Sequence, residues 1–426
     1  MKHCRHGICV LVGAVLFNTA SADQAETRGD LEITSDDGNF SAKIGGRIHF
    51  DTYLFDPDIE DPVSTTEFRR ARISLSGKAW GWKYKLEQDF AAGDTLSGFR
   101  DAYIAHDFFG GTVKIGSFKP YRSMDEMTSS NELTVMERSF SSGSGIYDGR
   151  QRQQGIGWHD VWNCTTFGLM GFNTRDPAGP RNEGVGAAGR FTWAPIDDDL
   201  STVHFGISAS HENPNRDSDE LEATADYAGR RGPTQLIALT PGDRSLFFGD
   251  YGDEFFYFGD DGGDVNIAGL ELAGTYGPLY AQAEYAYAEY DGDYSISEAV
   301  FEDWFDAPPG FDCDPFFGCF IGDQDVHTWY IMGSWMITGE HKPYDLKKGA
   351  FESAKPRSDW GAWELTARYD TIENRDIPNL EANSTIIGVN YYHNPQVRFM
   401  VNLVFGDDEF TGDETKQLAI RAQMSW

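Results

Sequence analysis

The chain has 426 residues, 47 of them glycine and 14 % of them aromatic, and carries 35 Lys and Arg against 68 Asp and Glu, a formal charge of −33. So acidic a chain excludes a nucleic-acid binder, because a phosphate backbone selects a basic face. No heptad pattern, Pro/Ser linker or 20-residue apolar helix follows residue 22, so the length reads as one large β unit rather than several soluble domains.

At the start of the chain, Lys2 and Arg5 precede an apolar run from Ile8 to Phe17 and the small residues Ala20-Ser21-Ala22. This is the pattern of a secretory signal peptide over residues 1–22, too short in its apolar part to span a bilayer as a helix. A single domain over 23–426 is then expected. Of the five cysteines, Cys164, Cys313 and Cys319 remain beyond the leader. Cys313 and Cys319 lie six apart in one acidic loop, where an oxidising compartment favours a local disulfide. No nearby His or second Cys pair completes a metal site, and no metal or cofactor is expected.

The dominant signal along the rest of the chain is period two. Strands are expected at 42–55, 66–78, 80–92, 99–109, 111–118, 153–162, 164–174, 184–194, 201–212, 264–277, 278–290, 325–338, 360–373, 383–393, 395–407 and 414–426. The last shows it best: Leu418, Ile420, Ala422, Met424 and Trp426 share one face, and Gln417, Arg421, Gln423 and Ser425 the other. A soluble sandwich also alternates, but its strands are commonly shorter. Many runs here approach the ~10 residues a tilted strand needs to cross a bilayer. The fold class is therefore all-β, a transmembrane antiparallel barrel of about sixteen strands, whose even number lets both ends finish on the periplasmic side.

The connectors support this by alternating in length. Tight turns at Gly77 to Gly81, Gly110-Gly111, Gly277-Pro278 and His393-Asn394-Pro395 separate long loops at 56–65, 119–152, 213–263 and 291–324. One connector, 339–359, is long where a short turn belongs. The third long loop, 119–152, is expected to fold inward as a constriction, because sixteen strands leave a lumen too wide for side chains to fill.

Charge is distributed unevenly. From Lys43 to Arg152 there are 15 basic against 16 acidic residues, and after residue 153 there are 17 against 46. Arg47, Arg70 and Arg72 are expected to point from strands into a water-filled lumen, with Lys119, Arg122 and Arg138 on the constriction loop. Strict alternation puts Arg69 on the lipid side with Ala71, Ile73 and Leu75, tolerable only near the rim. Guanidinium forks suit phosphate-like ions, and a ladder of moderate sites conducts where one deep site would trap. The competing reading of these arginines is ordinary pairing with Asp and Glu across the barrel. The acidic loops read as solvated surface, bridged to anionic surface sugars by divalent ions.

Several stretches occur in a specific order: Phe40 to Arg47, Phe68-Arg69-Arg70-Ala71, Trp82-Lys83-Tyr84-Lys85, Asp101-Ala102-Tyr103, Thr128-Ser129-Ser130, Met136-Glu137-Arg138, Ala281 to Tyr285, Leu346 to Pro356, and Gly361 to Glu364 with Arg368-Tyr369-Asp370. In these the chain resembles the phosphate-selective porins O and P along most of its length. The resemblance implies a sixteen-stranded outer-membrane barrel, a homotrimer, an inward third loop and an arginine ladder, with Arg47, Arg69, Arg70, Asp101, Ser129 and Ser130 near the binding region. The chain departs from the family at Asn131, where well-studied members carry lysine, at Arg230-Arg231, where they carry a denser arginine run, and at Trp426, where Phe is usual.

Together these readings make the candidate pore-lining and anion-binding set Arg47, Arg69, Arg70, Arg72, Asp101, Lys119, Arg122, Ser129, Ser130, Asn131, Arg138, Arg230 and Arg231. The expected function is passive uptake of phosphate, pyrophosphate or similar small anions through an anion-preferring porin of the bacterial outer membrane. Its partners are then membrane lipid, lipopolysaccharide and small inorganic anions. The acidic loops suggest the alternative of a general or cation-leaning porin. A secreted β-rich carbohydrate-active enzyme is the remote alternative, and no Gly-x-Ser-x-Gly, His-Glu-x-x-His or Walker pattern supports an enzyme.

Overall fold

The computed structural model describes residues 26–27, 31–92, 98–147, 152–174, 184–213, 221–240, 255–257, 263–292, 294–296, 301, 305 and 319–426. The leader, Cys313 and the acidic runs at 249–254 and 259–262 lie outside the described residues. Cys319 is disulfide-bonded and Cys164 is free.

Sixteen strands form a closed antiparallel barrel. They are β1 (Phe40–Asp56), β2 (Thr65–Ala79), β3 (Trp82–Asp89), β4 (Phe99–Phe108), β5 (Gly111–Phe118), β6 (Gln153–Trp162), β7 (Thr165–Asn173) and β8 (Val185–Asp197). They continue as β9 (Ser201–Asn213), β10 (Val265–Tyr276), β11 (Leu279–Tyr290), β12 (Gln324–Met336), β13 (Ala362–Asn374), β14 (Glu381–Tyr392), β15 (Val397–Asp408) and β16 (Lys416–Ser425). Each pairs with its sequence neighbour, and β16 pairs with β1, which closes the barrel, while two short strands at Glu26–Thr27 and Leu31–Thr34 add to the sheet beside the start of β1. The strand count and order agree with the expectation from alternation.

Local chemistry explains the short turns. Trp80 and Gly81 both have positive φ (48° and 85°), as do Phe109 and Gly110 (56° and 82°). These two-residue mirror-type turns match the right-handed twist of the strands they join. The first turn is tighter than expected, because β2 keeps its pairing with β1 through Ala79.

The barrel is inside-out relative to a soluble protein. On β16, Ile420 is 40 % exposed while its neighbour Arg421 is fully buried. The outward residues of the other strands are likewise apolar, including Leu270, Ile331, Leu365, Ile387 and Leu403. An exposed apolar belt of this extent has no place on a soluble monomer and fits contact with hydrocarbon. Ile331→Arg near the middle of β12 should therefore cost about 2–4 kcal/mol. A fall in the urea midpoint of folding into phospholipid vesicles would register that cost, and an unchanged midpoint would deny that this face meets lipid.

The connector between β12 and β13 is the one that breaks the length alternation, and the structure gives it a place. Lys342 Nζ pairs with Glu364 at 2.9 Å and donates to Thr134 Oγ1 at 2.7 Å. The Arg190 guanidinium donates to the Lys348 and Gly349 carbonyls at 2.8 and 2.7 Å. Tyr344 Oη lies 2.7 Å from His204 Nδ1. The segment thus packs on buried side chains of β8, β9 and β13 and against the 119–152 loop.

Candidate functional site

The site begins with an irregularity in β2. The β1–β2 register pairs His49 with Arg70 and Phe50 with Phe68, leaving Arg69 without an opposite residue. Two residues of a bulged strand face one on its partner, so Arg69 and Arg70 both turn inward. Phe68 remains outside at 59 % exposure, and Arg72 is buried on the inner face. This corrects the alternation argument that placed Arg69 against lipid: a single extra residue shifts the phase.

The inner faces of β1 to β4 and of β16 then present alternating cations and carboxylates. Arg72 reaches Asp89 at 2.7 Å and Glu87 at 3.1 Å. Asp101 holds Lys85 at 2.5 Å and Arg152 at 2.7 Å. Arg421 grips Asp51 through two bonds of 2.8 and 2.6 Å and reaches Glu137 at 2.7 Å. Arg69 clasps the same Glu137 through bonds of 3.0 and 2.9 Å. Burial alone would raise the Glu137 carboxyl, but Arg69 and Arg421 outweigh it and hold it well below the usual carboxylate range.

The loop that carries Glu137 is bound to strands on several sides. The backbone N–H groups of Met124 and Asp125 donate to Glu284 on β11 at 3.0 and 2.7 Å, and that of Phe140 to Asp370 on β13 at 2.9 Å. Met136 N–H donates to Asn402 on β15 at 2.8 Å, and Arg398 donates to the Leu133 carbonyl at 2.9 Å. Buried loop backbone requires such partners, and polar and charged inner-face side chains supply them.

Two cavities flank this loop. One, of about 400 Å³, is lined by Arg69, Arg70, Arg72, Arg100, Arg138, Arg152, Arg230 and Arg368. Its described acidic lining is limited to Glu137 and Asp226. The other, of about 330 Å³, lies toward the chain terminus and is lined by Lys43, Arg47, Glu87, Asn131 and Trp426 among others. Between them, Arg47 donates to Ser130 Oγ at 2.9 Å and Ser129 Oγ at 3.4 Å.

Several cationic donors in the first cavity are unspent. Arg70 is 3 % exposed, has no carboxylate within ion-pair distance among the described residues, and leaves its Nε without an acceptor. Its Nη1 lies 3.5 Å from His49 Nδ1, and His49 Nε2 lies 3.0 Å from Asn131 Oδ1. Arginine can only donate, so Nδ1 accepts and the hydrogen sits on Nε2, directed at Asn131. Arg100 Nε and Arg138 Nε and Nη1 are also without hydrogen-bond acceptors, although Arg100 Nε stands 3.6 Å from Asp89 and Arg138 Nη1 3.9 Å from Asp125.

The expected residues thus fall into two groups. Arg69, Arg70, Arg72, Arg138 and Arg230 line the first cavity and Arg47 and Asn131 the second, while Ser129 and Ser130 accept from Arg47 and Asp101 pairs with Lys85 and Arg152. Lys119 and Arg122 do not line either cavity: Lys119 donates to the Glu126 and Thr128 carbonyls of its own loop, and Arg122 is wholly buried against Glu126 and Glu212. Arg230 and Arg231 pair with Glu67 at 3.0 and 2.5 Å. Sequence reading missed Arg100, Arg152, Arg368 and Arg421. Inward phase on β13 and β16 would have flagged Arg368 and Arg421, whereas Arg100 and Arg152 stand at a strand start and a loop end, where phase carries little information.

Comparison with known proteins agrees with this architecture. The family model "Phosphate-selective porin O and P" matches residues 42–426. Porin O of Pseudomonas aeruginosa is 26 % identical, over 92 % of this chain and 90 % of that protein. Among solved structures, an anion-selective porin from Comamonas acidovorans superposes with a TM-score of 0.55 at 11 % identity, over 91 % of this chain and 100 % of its own. The outer-membrane channel DcaP of Acinetobacter baumannii gives 0.51 at 12 % identity, over 92 % and 99 %. With a closed sixteen-stranded barrel and a family match across nearly its whole length, the chain belongs to the phosphate-selective porin O and P family and is a porin of the bacterial outer membrane.

Proposed function

We propose that this porin, freed of its 1–22 leader, forms a water-filled, anion-preferring channel for passive uptake of phosphate, pyrophosphate or similar small anions. The observation that carries the reading is the cavity where eight arginines meet two described carboxylates, with donors on Arg70, Arg100 and Arg138 left over. A guanidinium keeps its charge at any working pH and offers paired donors to a phosphoryl oxygen pair. In a narrow neck with low-dielectric walls such charges act more strongly than at an open surface.

The 119–152 loop lies across the lumen and narrows it, which its hydrogen bonds to β11, β13 and β15 support. Anions attracted to the arginine cavity pass Arg47, Ser129 and Ser130 and leave by the second cavity. The protein is a channel and not an enzyme. It assembles as a homotrimer among lipid and lipopolysaccharide; a fold relative, OmpT of Vibrio cholerae, is known in a trimer form, with a TM-score of 0.52 at 11 % identity over 91 % of this chain and 99 % of its own.

A reversal potential measured in planar bilayers under a KCl gradient tests this reading. An anion-selective sign is expected. A cation-selective sign would favour the general or cation-leaning porin, for which the acidic excess beyond residue 153 speaks. Asn131→Lys adds a cation at the edge of the second cavity, and the reversal potential should move further toward the anion limit. No movement would mean that Asn131 does not face the ion path.

A further inference from the structure

The alternation that builds the barrel sends polar residues inward, because the lumen is wet. At the arginine cavity three strands depart from that rule. There β14, β15 and β16 present Ser384, Ile386, Asn402, Val404, Gln417 and Ala419, none of them charged. Ile386 stands directly opposite Val404 in the β14–β15 register, and Ala419 opposite Tyr53 in the β16–β1 register. Val404 and Ala419 are diagonal neighbours across β15 and β16, since Val404 pairs with Gln417 and Asn402 with Ala419. The inward apolar residues therefore form one patch.

The loop uses part of this patch. Ile386 and Val404 share a buried cluster with Val135, and Tyr53 and Ala419 share another with Met136. Both clusters end at the cavity, where Ile386, Val404, Ala419, Tyr53 and Met136 are all part of the lining. The charged lining comes from elsewhere: Arg69, Arg70 and Arg72 from β2, Arg100 from β4, and Arg138 and Arg152 from the loop. Arg368, opposite Ile386 across β13 and β14, is turned to the loop and donates to the Glu137 and Arg138 carbonyls at 2.8 and 3.1 Å. One cavity thus joins a cationic flank to a neutral, partly apolar one.

An inorganic ion is matched by the first flank alone and leaves Ile386, Val404 and Ala419 facing water. The cavity, of about 400 Å³, has the size and mixed lining of sites that enclose small organic molecules, apolar walls with a few polar groups that fix orientation. On the cationic flank Arg69, Arg72 and Arg152 are already paired with Glu137, Asp89 and Asp101, so Arg70 offers the free fork. One guanidinium fork matches one planar carboxylate.

We propose that this cavity favours organic monocarboxylates with a compact apolar body. This rests on the anion-channel reading and names a substrate class within it. The carboxylate takes the Arg70 fork, and the body sheds its water against Ile386, Val404 and Ala419. Both contacts are moderate, so the ion also leaves. Ile386, Val404 and Ala419 are then specificity-determining residues.

The test inhibits the chloride conductance of the purified full-length porin in planar bilayers with acetate or with benzoate, which share one carboxylate and one charge and differ in the apolar body. Benzoate should half-inhibit at a concentration about tenfold below that of acetate, as expected when a ring is partly buried. Val404→Thr nearly keeps the shape and sets a hydroxyl on the neutral flank, and the ratio between the two anions should contract about threefold. Ile386→Thr decides the same point if the Val404 variant does not fold. Benzoate and acetate within about twofold of each other in the unmodified protein, or a ratio that a folded variant leaves unmoved, overturns the proposal. An anion-selective reversal potential in that event leaves the channel reading intact, and a cation-selective one overturns both.

Discussion

Arg70→Ala is expected to weaken phosphate inhibition of chloride conductance about tenfold or more and to shift the reversal potential away from the anion limit. The magnitude follows from losing charged hydrogen bonds worth about 1.5–3 kcal/mol, where 1.4 kcal/mol is a factor of ten. Arg70 is singled out because its charge is unspent: neutral His49 is its nearest partner, and its Nε finds no acceptor. Arg72 and Arg421, by contrast, are engaged by Asp89 and Asp51. The barrel itself should be unaffected, because Arg70 closes no ion pair among the described residues. Unchanged inhibition in a normally folded Arg70→Ala channel would show that anions pass elsewhere.

The second large effect is expected at Arg122, and it should be of another kind. Arg122 bridges Glu126 at 3.1 Å and Ser210 at 3.2 Å, reaches Glu212, donates to the Tyr147 carbonyl at 2.5 Å, and lies 4.7 Å from the centre of the Tyr147 ring. Arg122→Met leaves two buried carboxylates without their cation, which costs about 3–5 kcal/mol. That loss falls on the attachment of the loop to β9 rather than on the ion path. The midpoint of heat-modified migration should drop and open-channel current noise should rise, with the sign of the reversal potential retained. If selectivity collapsed while stability held, Arg122 would belong to the ion path after all.

The contrast between these two arginines shows where sequence reading stops. Both are arginines in the charge-balanced stretch from Lys43 to Arg152, and composition does not tell them apart. What separates them is the company each keeps: Arg122 meets Glu212, ninety residues away, and Arg70 meets a histidine. The Arg69 position shows the same limit on a shorter scale, since one bulge reverses the face that alternation assigns.

The sixteen strands, their order and the greasy outward belt were legible in the chain alone. Hydrocarbon on one side and water on the other impose a two-residue rhythm that every strand must carry in its own sequence. The path of the 119–152 loop, the packing of the connector between β12 and β13, and the meeting of Arg69, Arg72, Arg138 and Arg152 at one cavity were not. These depend on register, on a single bulged residue and on contacts between segments far apart in the chain. Such contacts have no local periodicity to betray them, and only the closed barrel brings their charges together.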